Sequence, residues 1–256
     1  MTENSKLQDK LVSKTYNVRI KDTIETFTKH LYYVLFDDEP ASELQHLETL
    51  FLDMTRKLDV EGAFKIWEAF KFKLPSIRRR LDLDAIAIEQ HDPAARSLEE
   101  VYLAYPGFYA IAIYRLSHEL FELNLPIIPR MMSEYAHGVT GTDIHPGAKI
   151  GDSFFIDHAT GIVIGETSVI KNNVKIYQGV TLGGIQIKKS LSATKRHPTI
   201  ENNVIIYANA TILGGDVVIG ANSIIGANVC VTVSIPENSI LTYQKEFKIR
   251  SRNNND

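Results

Sequence analysis

The sequence predicts an α+β fold, an all-helical part over residues 1–140 followed by a parallel β-helix of hexapeptide repeats over 141–240 and a flexible tail, 241–256. Two periodicities predict it: apolar residues recur at helical spacing up to about residue 140, and every sixth residue from Ile144 onward. Size and composition set the class. The chain has 256 residues, 44% of them apolar, enough to bury a sizeable core, and a formal net charge of -3. Acidic and basic residues are mixed along the chain, which leaves no electrostatic footprint for nucleic acid or an anionic membrane and favours small-molecule chemistry. The polar start MTENSKLQDK and the lack of a ~18-residue apolar run predict a cytoplasmic protein.

The first helix is expected over 5–35. A second begins near Pro40 and carries Leu44, Leu47, Phe51, Met54 and Leu58 on one face. Further helices are expected over 61–73, 76–89 and 98–123, the last broken at Pro106-Gly107. Such a satellite helical domain reads as a packing or oligomerisation unit.

The six-residue rule places Ile144, Ile150, Ile156, Ile164, Ile170, Ile176, Leu182, Ile200, Ile206, Ile212, Ile219, Ile225 and Val231 inside a triangular coil. Stacked turns would lie ~4.8 Å apart and pile these aliphatic residues into ladders. Ala148, Thr160, Ser168, Val174, Val180, Val204, Ala210, Ser223 and Val229, each four residues on, are expected at corners, with Gly151, Gly165, Gly220 and Gly226 where little bulk fits. The phase slips at 156–164 and 212–219. Between Leu182 and Ile200 the inward positions fall on Lys188 and Thr194, so 184–198 is expected to leave the coil as a loop, and long loops tend to be functional. Cys230 reads as a small buried hydrophobe, and a single cysteine gives no disulfide framework and no metal site.

Candidate chemistry sits on the few polar coil residues, Asp143, His145, Asp157, His158 and Glu166. A neutral imidazole takes a proton from a hydroxyl near pH 7, which makes His158 the candidate general base; alternatively it merely caps a corner. A carboxylate behind the ring would fix its tautomer. Asp143, fifteen residues earlier and so close to one turn away, is the expected partner, whereas Asp157 is expected to face elsewhere. Gly183-Gly184, followed by Lys188, Lys189, Lys195 and Arg196, suits an extended phosphorylated cosubstrate, although a Gly-Gly pair can equally be a simple turn.

The motifs DIHPGAKIG, IDHATGIVIGE, VTLGG and RHP, together with HDPAARSLEEVYLAYPGFYAIAIYRLSHEL upstream, resemble bacterial serine O-acetyltransferases over roughly residues 90–235. The resemblance implies a left-handed β-helix, trimeric or doubled into a hexamer, with each site in a groove between two chains. It implies direct transfer from acetyl-CoA to L-serine as the first step of cysteine synthesis, with no permanently bound cofactor. It matches His158 to the general base, Asp143 to its orienting carboxylate, Asp92 and Asp157 to serine-binding acids, and Arg196 and His197 to a serine-holding pair from the adjacent chain. Gly183, Gly184 and Ala208 match positions lining the acetyl-CoA arm. L-cysteine is left open as a feedback inhibitor. The loop after Gly184 is longer than in well-known members and lacks their glycine-rich run, and the segment after Pro236 lacks their GVPA turn. The tail ends in Asp256 where many members carry isoleucine, so a tight complex with O-acetylserine sulfhydrylase is not expected. Two other readings stay open, transfer to another acceptor such as a sugar or antibiotic hydroxyl, and a non-catalytic scaffold. Acids paired with Arg196-His197 favour an amino acid over a sugar.

Overall fold

The computed structural model describes residues 16–36, 40–185 and 194–244. Residues 5–15 of the first expected helix, Lys188 and Lys189 of the loop, and the tail from 245 to Asp256 lie outside the described residues.

The helices are α1 (Ile20–Phe36), α2 (Pro40–Lys57), α3 (Ala63–His91), α4 (Leu98–Ala104), α5 (Pro106–Glu122) and α6 (Ile128–Thr140). The two helices expected on either side of residue 75 are one. Pro75 removes the N–H that would bond the Lys71 carbonyl, but it lies on the exposed face of α3, where water can satisfy that group. Leu74, Ile77 and Leu81, buried beside it, hold the helix through the break. The expected interruption before Pro106 is present: α4 opens with Ser97 accepting from the Glu100 N–H at 3.2 Å, and Tyr105 separates it from α5. Gly141, in the left-handed region at φ 77°, ends α6 immediately before the first strand.

The strands form three parallel sheets. Sheet 1 holds β1 (Thr142–Ile144), β4 (Ile162–Ile164), β7 (Thr181–Gly183), β10 (Thr211–Leu213) and β13 (Cys230–Val231). Sheet 2 holds β2 (Lys149–Ile150), β5 (Val169–Ile170), β8 (Thr199–Ile200) and β11 (Val218–Ile219). Sheet 3 holds β3 (Phe155–Ile156), β6 (Lys175–Ile176), β9 (Ile205–Ile206), β12 (Ile224–Ile225) and β14 (Ile240–Leu241).

Each sheet stacks one ladder of expected inward residues. Ile144, Ile164, Leu182, Ile212 and Val231 are in register in sheet 1, Ile150, Ile170, Ile200 and Ile219 in sheet 2, and Ile156, Ile176, Ile206 and Ile225 in sheet 3. All thirteen are at most 5% exposed, and burying each side chain stabilises the coil by roughly 1.5–3 kcal/mol. The residues four further on also turn inward: Ala148, Ser168, Val174, Val180, Val204, Ala210, Ser223 and Val229 are buried, so they fill the core between ladders. Thr160 departs from this because the two-residue slip before it turns Ala159 inward in its place. Cys230 is exposed, contrary to expectation, because it precedes inward-facing Val231 on the same strand.

The helical part is no satellite. One continuous apolar cluster runs from Ile24 and Phe27 through Phe108 and Ile111 to Phe154, Ile156 and the coil interior, so the helices cap the open end of the solenoid. The start of α5 meets β3 so closely that a Cβ on Gly107 would lie 2.4 Å from the Ile156 carbonyl oxygen. A buried ion pair crosses the junction: Arg115 on α5 donates to Asp84 on α3 and, at 2.8 Å, to the Gly151 carbonyl, while the Phe154 N–H donates to Asp84 at 2.9 Å. Burial pushes the Asp84 carboxyl up despite Arg115. Among the described residues no helix is long and apolar enough to cross a membrane.

Candidate active site

The irregular parts of the coil carry the candidate residues. At the edge between sheets 3 and 1, the slip after Ile156 inserts DHATG, in which His158 (φ 59°), Ala159 (φ 64°) and Gly161 (φ 75°) take left-handed conformations. The insertion lifts His158 out of the coil, leaving its side chain 67% exposed with Nδ1 3.6 Å from Asp157 Oδ1. Asp157 therefore stands beside His158, contrary to the expectation that it faces elsewhere.

Asp143 is not behind the ring in a single chain. The slip lengthens the turn, so that Asp143 pairs in register with Val163 and a step of fifteen residues falls short of it. Arg130 on α6 takes its carboxylate instead, with Nη1 donating to Oδ1 at 3.0 Å, and also reaches Glu134. Among the described residues no hydrogen bond joins Asp143 to His158.

Asp92 arrives at the same edge from the end of α3. Its Oδ1 accepts from the Ala94 N–H at 2.8 Å and its Oδ2 from the Tyr105 hydroxyl at 2.7 Å. Withdrawal from solvent and the Asp92 carboxylate push the Tyr105 phenol up to about 12, with Glu100 and Asp157 adding to the effect. The Tyr177 phenol is raised by burial first, then by Tyr207, Asp157 and Asp92. Both carboxylates thus lie within electrostatic reach of the same tyrosines, and the structure brings Asp92, Asp157 and His158 together at one edge.

Arg196 and His197 belong to the edge between sheets 1 and 2, where the chain returns from the expected loop between β7 and β8. Arg196 forms an ion pair with Glu166. The His197 ring packs against Gly165, where a Cβ would come within 2.1 Å of its Nε2. Burial and then Arg196 depress the His197 imidazole to about 4, His145 and Lys195 in the same direction and Glu166 against it, so the ring is neutral at pH 7. His145, on the same edge, is also depressed, chiefly by burial. The second slip serves this loop: a Cβ on Gly215 would be 2.1 Å from the Lys195 carbonyl oxygen, so the returning chain needs a bare backbone there.

Gly183 pairs with Leu213, and a Cβ on Gly184 would lie 3.2 Å from the Arg196 carbonyl oxygen, placing both at the Arg196 edge. Ala208 sits on the other edge, its carbonyl accepting from the Asn228 N–H at 2.9 Å. Within one chain the His158 group and the Arg196-His197 group occupy different edges of the triangle. Among the described residues no group of three or more His, Cys, Asp or Glu side chains could hold a metal ion. Sequence reasoning missed Tyr105, Arg130 and Thr167. Thr167 carries a signal: it is two residues past Gly165, one rung above Arg196 and His197. Tyr105 comes from the junction between two helices and Arg130 from a helix, and no periodicity reveals how these dock.

Comparison with known proteins identifies relatives of the chain. No family profile matches the chain. A Synechococcus elongatus protein described as a plasmid serine acetyltransferase is 45% identical over 215 residues, covering 82% of this chain and 66% of its own length. Other curated relatives are matched over about half their length, 54% and 49% in two cyanobacterial serine acetyltransferases. Among solved structures, Entamoeba histolytica serine acetyltransferase isoform 3 in complex with cysteine superposes with a TM-score of 0.77 at 33% identity, over 94% of this chain and 86% of that one. Brucella abortus serine acetyltransferase in complex with coenzyme A gives 0.64 at 30% identity, over 85% and 78%.

Proposed function

This chain belongs to the serine acetyltransferase family, and from that premise we propose that it transfers the acetyl group of acetyl-CoA to the hydroxyl of L-serine, releasing CoA and O-acetyl-L-serine for cysteine synthesis. The observation that carries the reading is the gathering of Asp92 and Asp157 around the exposed His158. Two carboxylates answer the substrate ammonium and a base stands at the hydroxyl, whereas a sugar acceptor offers no charge for them.

His158 takes the proton from the serine hydroxyl as its oxygen attacks the thioester carbonyl, and the proton then passes to the departing thiolate. Holding both substrates in one ternary complex makes the step effectively unimolecular. With Asp157 matched to the substrate ammonium, we assign the orienting role to Asp143, as the resemblance implies, which requires its carboxylate to turn from Arg130 to the ring when the site assembles. Arg196 and the neutral His197 meet the serine carboxylate from the neighbouring chain of a trimer, because they lie on a different edge from His158. Gly183, Gly184 and Ala208 leave room along that groove for the pantetheine arm. The exposed Cys230 lies three strands from β4, the strand that His158 precedes, ~14 Å along sheet 1, which speaks against an acetyl-cysteine intermediate. L-cysteine, bound in the Entamoeba relative, is proposed as a competing ligand of the same groove.

Thiol release from acetyl-CoA with serine, threonine, homoserine and several sugars as competing acceptors tests the reading. Serine should dominate; equal turnover with a sugar, or none with serine, would overturn it.

A further inference from the structure

We propose that Thr167 is a positioning residue that fixes His197 in the Nε2–H tautomer, so that the imidazole offers the substrate carboxylate an N–H rather than a lone pair. The inference rests on the reading that His197 helps to hold serine. His197 Nδ1 accepts from the backbone N–H of Thr167 at 3.0 Å and faces the Thr167 hydroxyl at 2.8 Å. The hydroxyl oxygen meanwhile accepts from the backbone N–H groups of Arg196 at 2.9 Å and His197 at 3.1 Å. With both lone pairs so engaged, its hydrogen is free to point at Nδ1, and two donors converge on one ring nitrogen. Only with both donors, the backbone N–H and the hydroxyl, aimed at it is Nδ1 held fully bare, which puts the ring hydrogen on Nε2. Nε2 has no hydrogen-bond partner among the described residues and lies over Gly165, where any side chain would displace it. Burial and Arg196 keep the ring neutral, so the tautomer rather than the charge decides what it offers. Lys195 completes the clamp, its Nζ donating to the Thr167 carbonyl at 3.1 Å and the His197 carbonyl at 2.8 Å.

The test uses the full chain. In ¹⁵N-histidine spectra, the His197 signals, assigned by their loss in His197→Asn, should show a protonated Nε2 and a bare Nδ1 from pH 6 to 8. An Nδ1–H tautomer or an imidazolium across that range would overturn the proposal without any turnover being measured. Thr167→Val keeps the backbone donor and the side-chain volume but removes the hydroxyl. It should raise KM for serine about fivefold or more, leave KM for acetyl-CoA and kcat within about twofold, and mix the tautomers. Thr167→Ser should restore both readouts. A Thr167→Val enzyme with the wild-type serine KM and an unmixed spectrum would also sink the idea, while leaving serine acetylation itself intact. If the wild type failed to acetylate serine, the functional reading would fall and the spectra would still decide the tautomer.

Discussion

The edge between sheets 2 and 3 and the edge between sheets 3 and 1 solve the same geometric problem with different residues. Both must turn the chain through left-handed conformations, which cost an ordinary L-residue roughly 1–2 kcal/mol. The first edge uses Ser153 and then Asn173, Asn203, Asn222 and Asn238, all with φ between 55° and 62°. Their amides bond rung to rung, at 3.2 Å from Asn173 to Asn203, 2.9 Å to Asn222 and 3.1 Å to Asn238. The second edge has Asn209 and Asn228 at its lower rungs, but at the top it places His158 and Ala159 in the same region. Asparagine suits such a turn through its local hydrogen bonds, whereas alanine gains nothing there. Residues that satisfy the coil mark the structural edge, and residues strained by it mark the candidate site.

The strongest way to break this comparison is His158→Ala. It should lower turnover ~100-fold or more with the fold unchanged, because it removes the base and no ladder residue. Retention of most turnover would erase the distinction between the edges. Mixing inactive His158→Ala chains with inactive His197→Ala chains should restore part of the activity, since some mixed grooves hold both intact residues; no recovery would mean that the two edges do not meet across chains.

A smaller effect sharpens the roles of the two acids. Asp143→Asn should reduce kcat by about tenfold, less than His158→Ala, with little change in serine KM. Asp157→Asn should chiefly raise serine KM. The reverse pattern would make Asp157 the orienting group, in keeping with its 3.6 Å approach to Nδ1 in the single chain.

The regular part of the coil was legible because one rule, an aliphatic residue every sixth position, maps onto one physical cause, a ladder per sheet. All thirteen inward residues follow from it. What escaped the rule did so for identifiable reasons. The slip after Ile156 changes the turn length, so counting residues from Asp143 to His158 misjudged which carboxylate is near. Pro75 reads as a helix end in isolation, and tertiary packing of Leu74 and Ile77 overrides it. The asparagine ladder leaves N-rich hexads in the sequence, but hydrophobic periodicity does not reveal it, since its signal is backbone conformation. Tyr105 reaches Asp92 through a helix junction that no local pattern encodes.

Acid should expose the Arg196 edge next. The folded His197 titrates at about 4, below the ~6.5 of an unfolded histidine. As pH falls, the unfolded chain takes this proton first, so the stability associated with the neutral ring is full above ~6.5 and is lost between there and about 4. Thermal midpoints of His197→Asn should therefore fall less steeply than wild type between pH 7 and 4.5. Parallel curves would mean that the ring is not held neutral by the fold.

The smallest effect belongs to the structural edge, and it is the control for all the others. Asn203→Ala puts a Cβ without local hydrogen bonds at φ 62° and removes both the amide bond given to Asn222 and the one received from Asn173. The backbone term is roughly 1 kcal/mol. The two side-chain bonds are exposed and add a few tenths each, because water replaces them. A loss of about 1–2 kcal/mol should lower the thermal midpoint by several degrees, since ~1 kcal/mol shifts a domain of this size by about 2–4 °C. Asn203→Gly relieves the backbone strain but not the missing amides, so it should fall between alanine and wild type. In both variants kcat and the KM values should stay within twofold, as no candidate residue lies on this edge. A variant of unchanged midpoint but impaired turnover would put catalytic work on the asparagine ladder, and the contrast between the edges would fail.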